Sequence, residues 1–308
     1  MARNISLDML KLFLALAIIA LHGKIFLDLN NLLYFFTVNG IFRIGVPVFL
    51  LITGYYLFLL KDFKIWFLRL FSLYVCWMIF YSVFYVNYLK SLGNIFEIFF
   101  LGYHHLWYLA GTIGGGIFLY FTKGLNTIVQ ISLAFFLFIL GCFLQYMGNF
   151  HLFPKKIDFL LNYYPFYRNS FTVCYPFLMF GFLIHKLNLT AKYKKIAPFA
   201  VIISLILLYL EVYINYFFIS KKDPLDLMFS LMLLCPFIFI FVFNLNIKGE
   251  GKTLALFSTA LYLIHPLFQN LLKSFNINSI ELFLVTVVLS CLASIVLIML
   301  NKKIKVIL

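Results

Sequence analysis

Residues 5–27 read ISLDMLKLFLALAIIALHGKIFL, an apolar run of the ~20 or more residues that a bilayer crossing requires. Three ionisable side chains interrupt it: Asp8, Lys11 and His22. A step from residue 11 to residue 22 at 100° per residue returns to within about 20° of its starting azimuth and rises ~16.5 Å, so Lys11 and His22 share one helix face at different depths. Asp8 falls on much the same face. A charged side chain at mid-bilayer costs roughly 2.5–3.5 kcal/mol on insertion scales, and the stripe is therefore expected to face a protein interior or a wet cavity. It marks a functional site.

The whole chain extends this reading. It is 65% hydrophobic and 11% charged, with mean hydropathy +1.05, far from the ~25% charged residues of a soluble domain. Ten apolar runs are candidates for crossing: Ile5–Leu27, Phe42–Leu60, Ile65–Leu89, Leu106–Phe121, Thr127–Met147, Ser170–His185, Ile196–Ile219, Leu225–Phe243, Thr253–Leu272 and Ile280–Leu300. The expected fold is all-α, a polytopic integral membrane protein with about ten transmembrane helices. Nothing of length remains for a soluble domain, so residues 1–308 are read as one integral-membrane domain. The first run is an uncleaved helix and not a signal peptide, because Asp8 and Lys11 intrude early and Ala15-Leu16-Ala17 sits in mid-run.

A formal charge of +14 raises the question of nucleic acid, but the basic residues are scattered through short loops and form no basic face. The positive-inside rule accounts for them. With a cytoplasmic N-terminus, that side holds Arg3, Lys61, Lys64, Arg69, Lys123, Lys186, Lys192, Lys194, Lys195, Lys248, Lys252, Lys302, Lys303 and Lys305. The outer side holds nine basic residues, Arg43 and Arg168 among them, beside the acids Asp28, Glu97, Asp158, Asp223, Asp226 and Glu281. Cys76, Cys142, Cys174, Cys235 and Cys291 fall in different runs without metal-type spacing, and neither a disulfide framework nor a metal site follows.

Two shorter apolar pieces on the outer side, Asn30–Gly40 and Asn94–Gly102, are expected to lie in the interface. Gly111 and Gly115 form a GxxxG pair that favours close helix packing. In the ninth run Ser258, Tyr262, His265 and Gln269 share one face, which reads either as part of a site beside a local helix break at Pro266 or as an interhelical hydrogen-bond seam with a kink. His104, His105, Trp107 and Tyr108 open the fourth run at the outer end, on the side that His22 reaches. They read either as aromatic-belt residues or as part of a site. Arg43 wants an anionic partner, a carboxylate or a ligand phosphate. Arg69 and Lys64 reach either lipid headgroups or a phosphate-bearing cosubstrate. Glu211 is expected to be buried and paired with a basic residue.

Leu7-Asp8-Met9-Leu10-Lys11 with His22 following, then Val46-Pro47-Val48-Phe49-Leu50-Leu51-Ile52-Thr53-Gly54-Tyr55, Leu106-Trp107-Tyr108-Leu109, Phe180-Gly181-Phe182 and Leu261-Tyr262-Leu263-Ile264-His265-Pro266, in this order and spacing, resemble the acyltransferase 3 family of membrane-bound O-acyltransferases. Three departures stand out: Lys11 occupies a position that is normally arginine, Thr53 one that is usually serine, and of two arginines usual in the third span only Arg69 is present, with Lys64 nearby. The resemblance implies transfer of an acyl group, most often acetyl from acetyl-CoA, to a hydroxyl of a lipid-linked or cell-surface carbohydrate in a bacterial cytoplasmic membrane. No bound cofactor is implied; acyl-CoA is a cosubstrate. On this reading His22, Arg43, Tyr262 and His265 are catalytic candidates, since the chemistry needs a base of near-neutral pKa and donors where charge develops on the thioester oxygen. Lys11, Asp8, Lys64 and Arg69 would hold the cosubstrate end, and His104, His105, Trp107 and Arg168 the acceptor side. The rival expectation is a transporter of an anionic solute or acyl group that lines its path with the same charges.

Overall fold

The computed structural model describes residues 3–308; Met1, Ala2 and the side chain of Arg3, one of the basic residues counted for the cytoplasmic side, lie outside the described residues. The chain is 77% helical, and β1 (Arg3–Asn4) pairs antiparallel with β2 (Lys248–Gly249) over two residues each. The helices in chain order are α1 (Ser6–His22), α2 (Asn31–Val38), α3 (Gly45–Leu57), α4 (Phe63–Tyr85), α5 (Leu92–Leu101), α6 (Trp107–Thr122), α7 (Thr127–Asn149), α8 (Lys155–Asn162), α9 (Tyr164–Tyr167), α10 (Tyr175–Lys186), α11 (Leu189–Lys192), α12 (Ala197–Ile214), α13 (Leu231–Leu245), α14 (Thr253–Leu272) and α15 (Ser279–Asn301). Each of the ten apolar runs holds a helix. Among the described residues, six helical stretches are long and apolar enough to cross a membrane: Asn31–Leu57, Phe63–Tyr88, Thr127–Asn149, Ala197–Ile219, Thr253–Leu272 and Ser279–Asn301. α1, α6, α10 and α13 are shorter, at 17, 16, 12 and 15 residues, so length and composition establish a multi-span helical protein and do not establish ten crossings.

Four local expectations are corrected. The first run does not continue as helix to Leu27: α1 stops at His22, and Lys24 and Phe26 take left-handed φ of 50° and 71° in the turns that follow. Asn30–Gly40 does not stand apart from the second run: α2 leads through turns at Asn39–Gly40 and Ile41–Ile44 into α3, and Asn31–Leu57 as a whole is long and apolar enough to cross a membrane. α14 passes through Pro266 without a break, since proline removes one backbone donor while its neighbours keep the helix closed. Glu211 is half-buried and takes hydrogen bonds from Tyr146 Oη (2.8 Å) and the backbone amides of Phe229 (2.8 Å) and Ser230 (2.9 Å) in place of a basic partner.

The chain forms two compact units. The first comprises residues 1–34, 64–110 and 245–308, the second residues 35–63 and 111–244. In the first, α14 packs against both α1 and α15 around Ala15, Ile19 and Leu261, with Leu12, Leu16, Phe257, Phe283, Val287 and Cys291 closing over them. Ala15 and Ile19 lie between Lys11 and His22 on the same stripe, so burying this stripe against α14 sets the azimuth of both ionisable residues. β1 meets β2 at one end of this unit, while at the other Asp28 accepts from the Ser279 amide at 2.9 Å. α15 starts beside that contact with a capping box formed by Asn278 and Glu281.

In the second unit α3 crosses α10 at backbone contact. A Cβ at Gly54 would run into the Leu178 backbone, and one at Gly181 into that of Leu51. Both glycines belong to the strings quoted above. Gly115 similarly faces the backbone nitrogen of Tyr175 and Gly114 the side chain of Ser170, so Gly114 and Gly115 of α6 serve close packing.

Candidate active site

His22 is the last residue of α1, the end at which the helix dipole favours a positive charge. Its ring centroid lies 4.6 Å from that of His104 and 5.5 Å from that of His265. His265 lies 5.5 Å from His105, and His105 lies 5.5 Å from Tyr262 and 5.1 Å from Tyr81. Four histidines from α1, the short turn His104–Leu106 and α14 therefore form one cluster inside the first unit.

Exposure grades across the cluster. His104 is exposed, His22 half-buried, and His105 and His265 fully buried. His265 Nδ1 lies 3.2 Å from the Leu261 carbonyl, whereas its Nε2 and both ring nitrogens of His105 have no hydrogen-bond partner among the described residues. Among those residues no three His, Cys, Asp or Glu side chains are arranged to hold a metal ion.

The surroundings of the cluster fix it in place. Gln269 Nε2 donates to the Ile19 carbonyl at 2.9 Å, one turn before His22, and ties the end of α1 to α14. Tyr262 donates its single O–H to the His105 carbonyl at 2.5 Å, which holds the His104–His105 turn and commits the proton that an oxyanion donor would need. Tyr81, which no periodicity singled out, is fully buried and donates to the Leu263 carbonyl at 2.7 Å. Trp107 and Tyr108 follow the turn at the start of α6, half-buried, with Tyr108 5.6 Å from Tyr262.

At the far end of α1, Lys11 Nζ lies 3.8 Å from the buried carboxylate of Asp8. Lys64 and Arg69 are exposed on the opening turns of α4.

Arg43 and Arg168 belong to the second unit, where they converge on one residue. Arg43 donates to Asp226 Oδ1 and, at 2.5 Å, to Asn39 Oδ1; Arg168 donates to Asp226 Oδ2 at 2.9 Å. Of the two partners left open for Arg43, the structure supplies the carboxylate. Asp226 was legible only as one outer-side acid among six, and the pairing of two arginines with a single acid has no spacing signature. Gln145 Oε1 accepts from the amides of Asp226 (2.8 Å) and Leu227 (2.9 Å), so the same loop is also anchored to α7.

No curated protein and no solved structure matches the chain. The profile of a known acyltransferase domain, in contrast, matches residues 4–300, a span that contains Lys11, the whole histidine cluster and the two contact glycines. With a profile match over nearly its whole length and several helices long and apolar enough to cross a membrane, the chain belongs to the acyltransferase 3 family.

Proposed function

We propose that this acyltransferase moves an acetyl group from acetyl-CoA to a hydroxyl of a lipid-linked or cell-surface carbohydrate, with His22 as the general base. The observation that carries the reading is the placement of His22 against His104 and His265 at the opposite end of α1 from the Lys11–Asp8 pair. His22 takes the proton of the acceptor hydroxyl as its oxygen attacks the thioester carbonyl. The tetrahedral intermediate then collapses to an ester, and the proton passes to the departing thiolate of CoA. Histidine suits both transfers because its pKa lies near operating pH.

His104, closest to His22, is the candidate donor toward the developing oxyanion; His265, whose Nδ1–H faces the Leu261 carbonyl and leaves Nε2 an acceptor, is read as a positioning residue. Tyr262 and Arg43 are read as positioning residues, their donors being engaged by the His105 carbonyl and by Asp226 and Asn39. Lys11, with Lys64 and Arg69, would meet the cosubstrate phosphates. The ~16.5 Å from Lys11 to His22 along the helix is of the order of an extended pantetheine arm.

The loop charges support about ten spans in a bacterial cytoplasmic membrane with the N-terminus inside. The contacts Arg3–Asn4 with Lys248–Gly249 and Asp28 with Ser279 join residues that this topology puts on the same side. Purified protein incubated with radiolabelled acetyl-CoA and an envelope glycan fraction is expected to yield a labelled ester that mild base releases. Label carried across reconstituted vesicles with no ester formed would favour the transporter instead.

A further inference from the structure

An apolar cleft of about 230 Å³ opens in the first unit between α4 and α5. Tyr74, Met78 and Ile79 line it on one stripe of α4, with Tyr85, Ile95 and Phe99 beside them. The two tyrosine hydroxyls in this lining are spent on backbone carbonyls, Tyr74 on Phe99 at 2.6 Å and Tyr85 on Met78 at 2.8 Å. The cleft therefore presents an almost wholly apolar lining.

α5 buries none of its residues yet is held firmly: Ser91 caps its N-terminus, Asn94 Nδ2 donates to the Tyr88 carbonyl at 2.7 Å, Tyr88 donates to Glu97 at 2.8 Å, and Tyr74 anchors the other end. A ten-residue helix this apolar is too short to cross a bilayer and, in the topology proposed above, lies along the membrane interface. The cleft beneath it is then open to the bilayer sideways, with Ile79, Ile95 and Phe99 67%, 44% and 50% exposed.

One residue links this cleft to the histidines. Tyr103 donates its backbone N–H to Met78 Sδ at 3.4 Å and sets its ring 5.2 Å from Tyr85 and 6.0 Å from His104; His104 in turn lies 4.6 Å from His22.

We infer that the cleft is the binding site for the hydrocarbon chain of a lipid-linked acceptor, seated so that its headgroup hydroxyl reaches His22 past Tyr103 and His104. This rests on the acyl-transfer reading and names the acceptor class for it. The acceptor's chain is favoured over the donor's because the cleft adjoins His104, whereas the cosubstrate end of α1 carries Lys11 and Asp8. At about 230 Å³ it is below the ~300–1,000 Å³ of pockets that enclose a whole small molecule. That size suits a segment of chain whose remainder stays in the bilayer.

The test does not depend on turnover. The full-length protein in vesicles is photolabelled with dodecyl glucoside carrying a diazirine in its alkyl chain, and the labelled peptides are mapped. Labelling is expected to concentrate on residues 74–79 and 95–99 and to fall by about tenfold or more in Ile79→Trp and Ile95→Trp, which fill the cleft with an indole and lie at exposed positions. A phosphatidylglycerol with the same diazirine chain should not compete for those peptides. Labelling spread evenly over all lipid-facing helices, unchanged labelling in both variants, or full competition by the phospholipid would each mean ordinary boundary lipid and overturn the proposal. Whether an ester forms from acetyl-CoA is scored separately, so loss of the acyl-transfer reading and loss of the cleft assignment remain distinct results.

Discussion

Gly54→Ala in α3 and Gly181→Ala in α10 offer a test of the fold in which two principles predict opposite signs. Alanine is the better helix former by roughly 0.5–1 kcal/mol, so propensity alone predicts stabilisation at both sites. The structure predicts the reverse. A Cβ at Gly181 would run first into the Leu51 carbonyl oxygen, with the Tyr55 backbone nitrogen at 2.8 Å behind it, and one at Gly54 into the Leu178 carbonyl oxygen, with the Leu178 Cα at 2.8 Å. Restoring the ~3.5–4.0 Å of an ordinary contact means withdrawing one helix from the other by more than about 1 Å.

The clashing atoms are backbone, which no rotamer change relieves. Overpacking of this kind costs about 1–3 kcal/mol and falls at the upper end when the neighbour is rigid. Net of propensity, each variant is expected to lose about 2 kcal/mol. Because both glycines sit in the same crossing, separation of the helices by one alanine relieves part of the clash at the other, and the double variant should lose less than the sum by 0.5 kcal/mol or more. Denaturant unfolding of detergent-purified protein, followed by tryptophan fluorescence, measures the cycle. Stabilisation by either alanine, or strict additivity, would refute the crossing described here.

Three further outcomes follow from other contacts. Gln269→Leu leaves the Ile19 carbonyl still bonded to the Gly23 amide, so stability should fall by no more than about 1.5 kcal/mol. Turnover should nevertheless drop by an order of magnitude or more, since a 1 Å displacement of a reacting group can cost ~10²-fold; kcat within twofold of wild type would remove the positioning role of Gln269. Asp226→Asn should destabilise the protein by about 3–5 kcal/mol by leaving two guanidiniums facing each other, read as loss of folded protein in the membrane, and Arg168→Gln by less, because Arg43 keeps its partner. Finally, His151 is held by Asp158 and Asp223, each at 3.0 Å, which raise its pKa above the usual 6.5. The clamp is complete below that value and is lost as pH rises through the raised pKa. Hydrogen exchange at the amides of residues 222–223 should accelerate with pH beyond its intrinsic dependence, and Asp158→Asn should flatten the difference; an unchanged profile in the variant would dismiss the clamp.

The parts of the site that share one helix were readable from spacing. Lys11 and His22 on α1, and Ser258, Tyr262, His265 and Gln269 on α14, follow from the 3.6-residue period. What period cannot supply is which faces meet. His104 stands beside His22, and Tyr81 beside His105, only because the α1, α14 and α4 segments pack together, and residues that far apart in the chain leave no joint pattern. Charge misled in two places. Glu211 was expected to need a cation, but a tyrosine and two backbone amides satisfy it; Asp226 looked like a loop acid, but it binds two arginines. Hydropathy overran the end of α1, because Gly23-Lys24-Ile25-Phe26-Leu27 remains apolar enough to extend the run while the backbone has already turned. The contact glycines were visible as letters in the resembling strings, and their reason, a helix crossing at backbone distance, came only from the fold.

The claim that His22 is the general base is tested most directly by single-turnover transfer from labelled acetyl-CoA with wild-type protein and His22→Ala at equal membrane levels. The account predicts a fall of ~10²–10⁴ in the rate of ester formation with the protein still folded, since one half-buried residue at the end of α1 contributes little to the packing around Ala15, Ile19 and Leu261. Retention of more than about a tenth of the wild-type rate would contradict it.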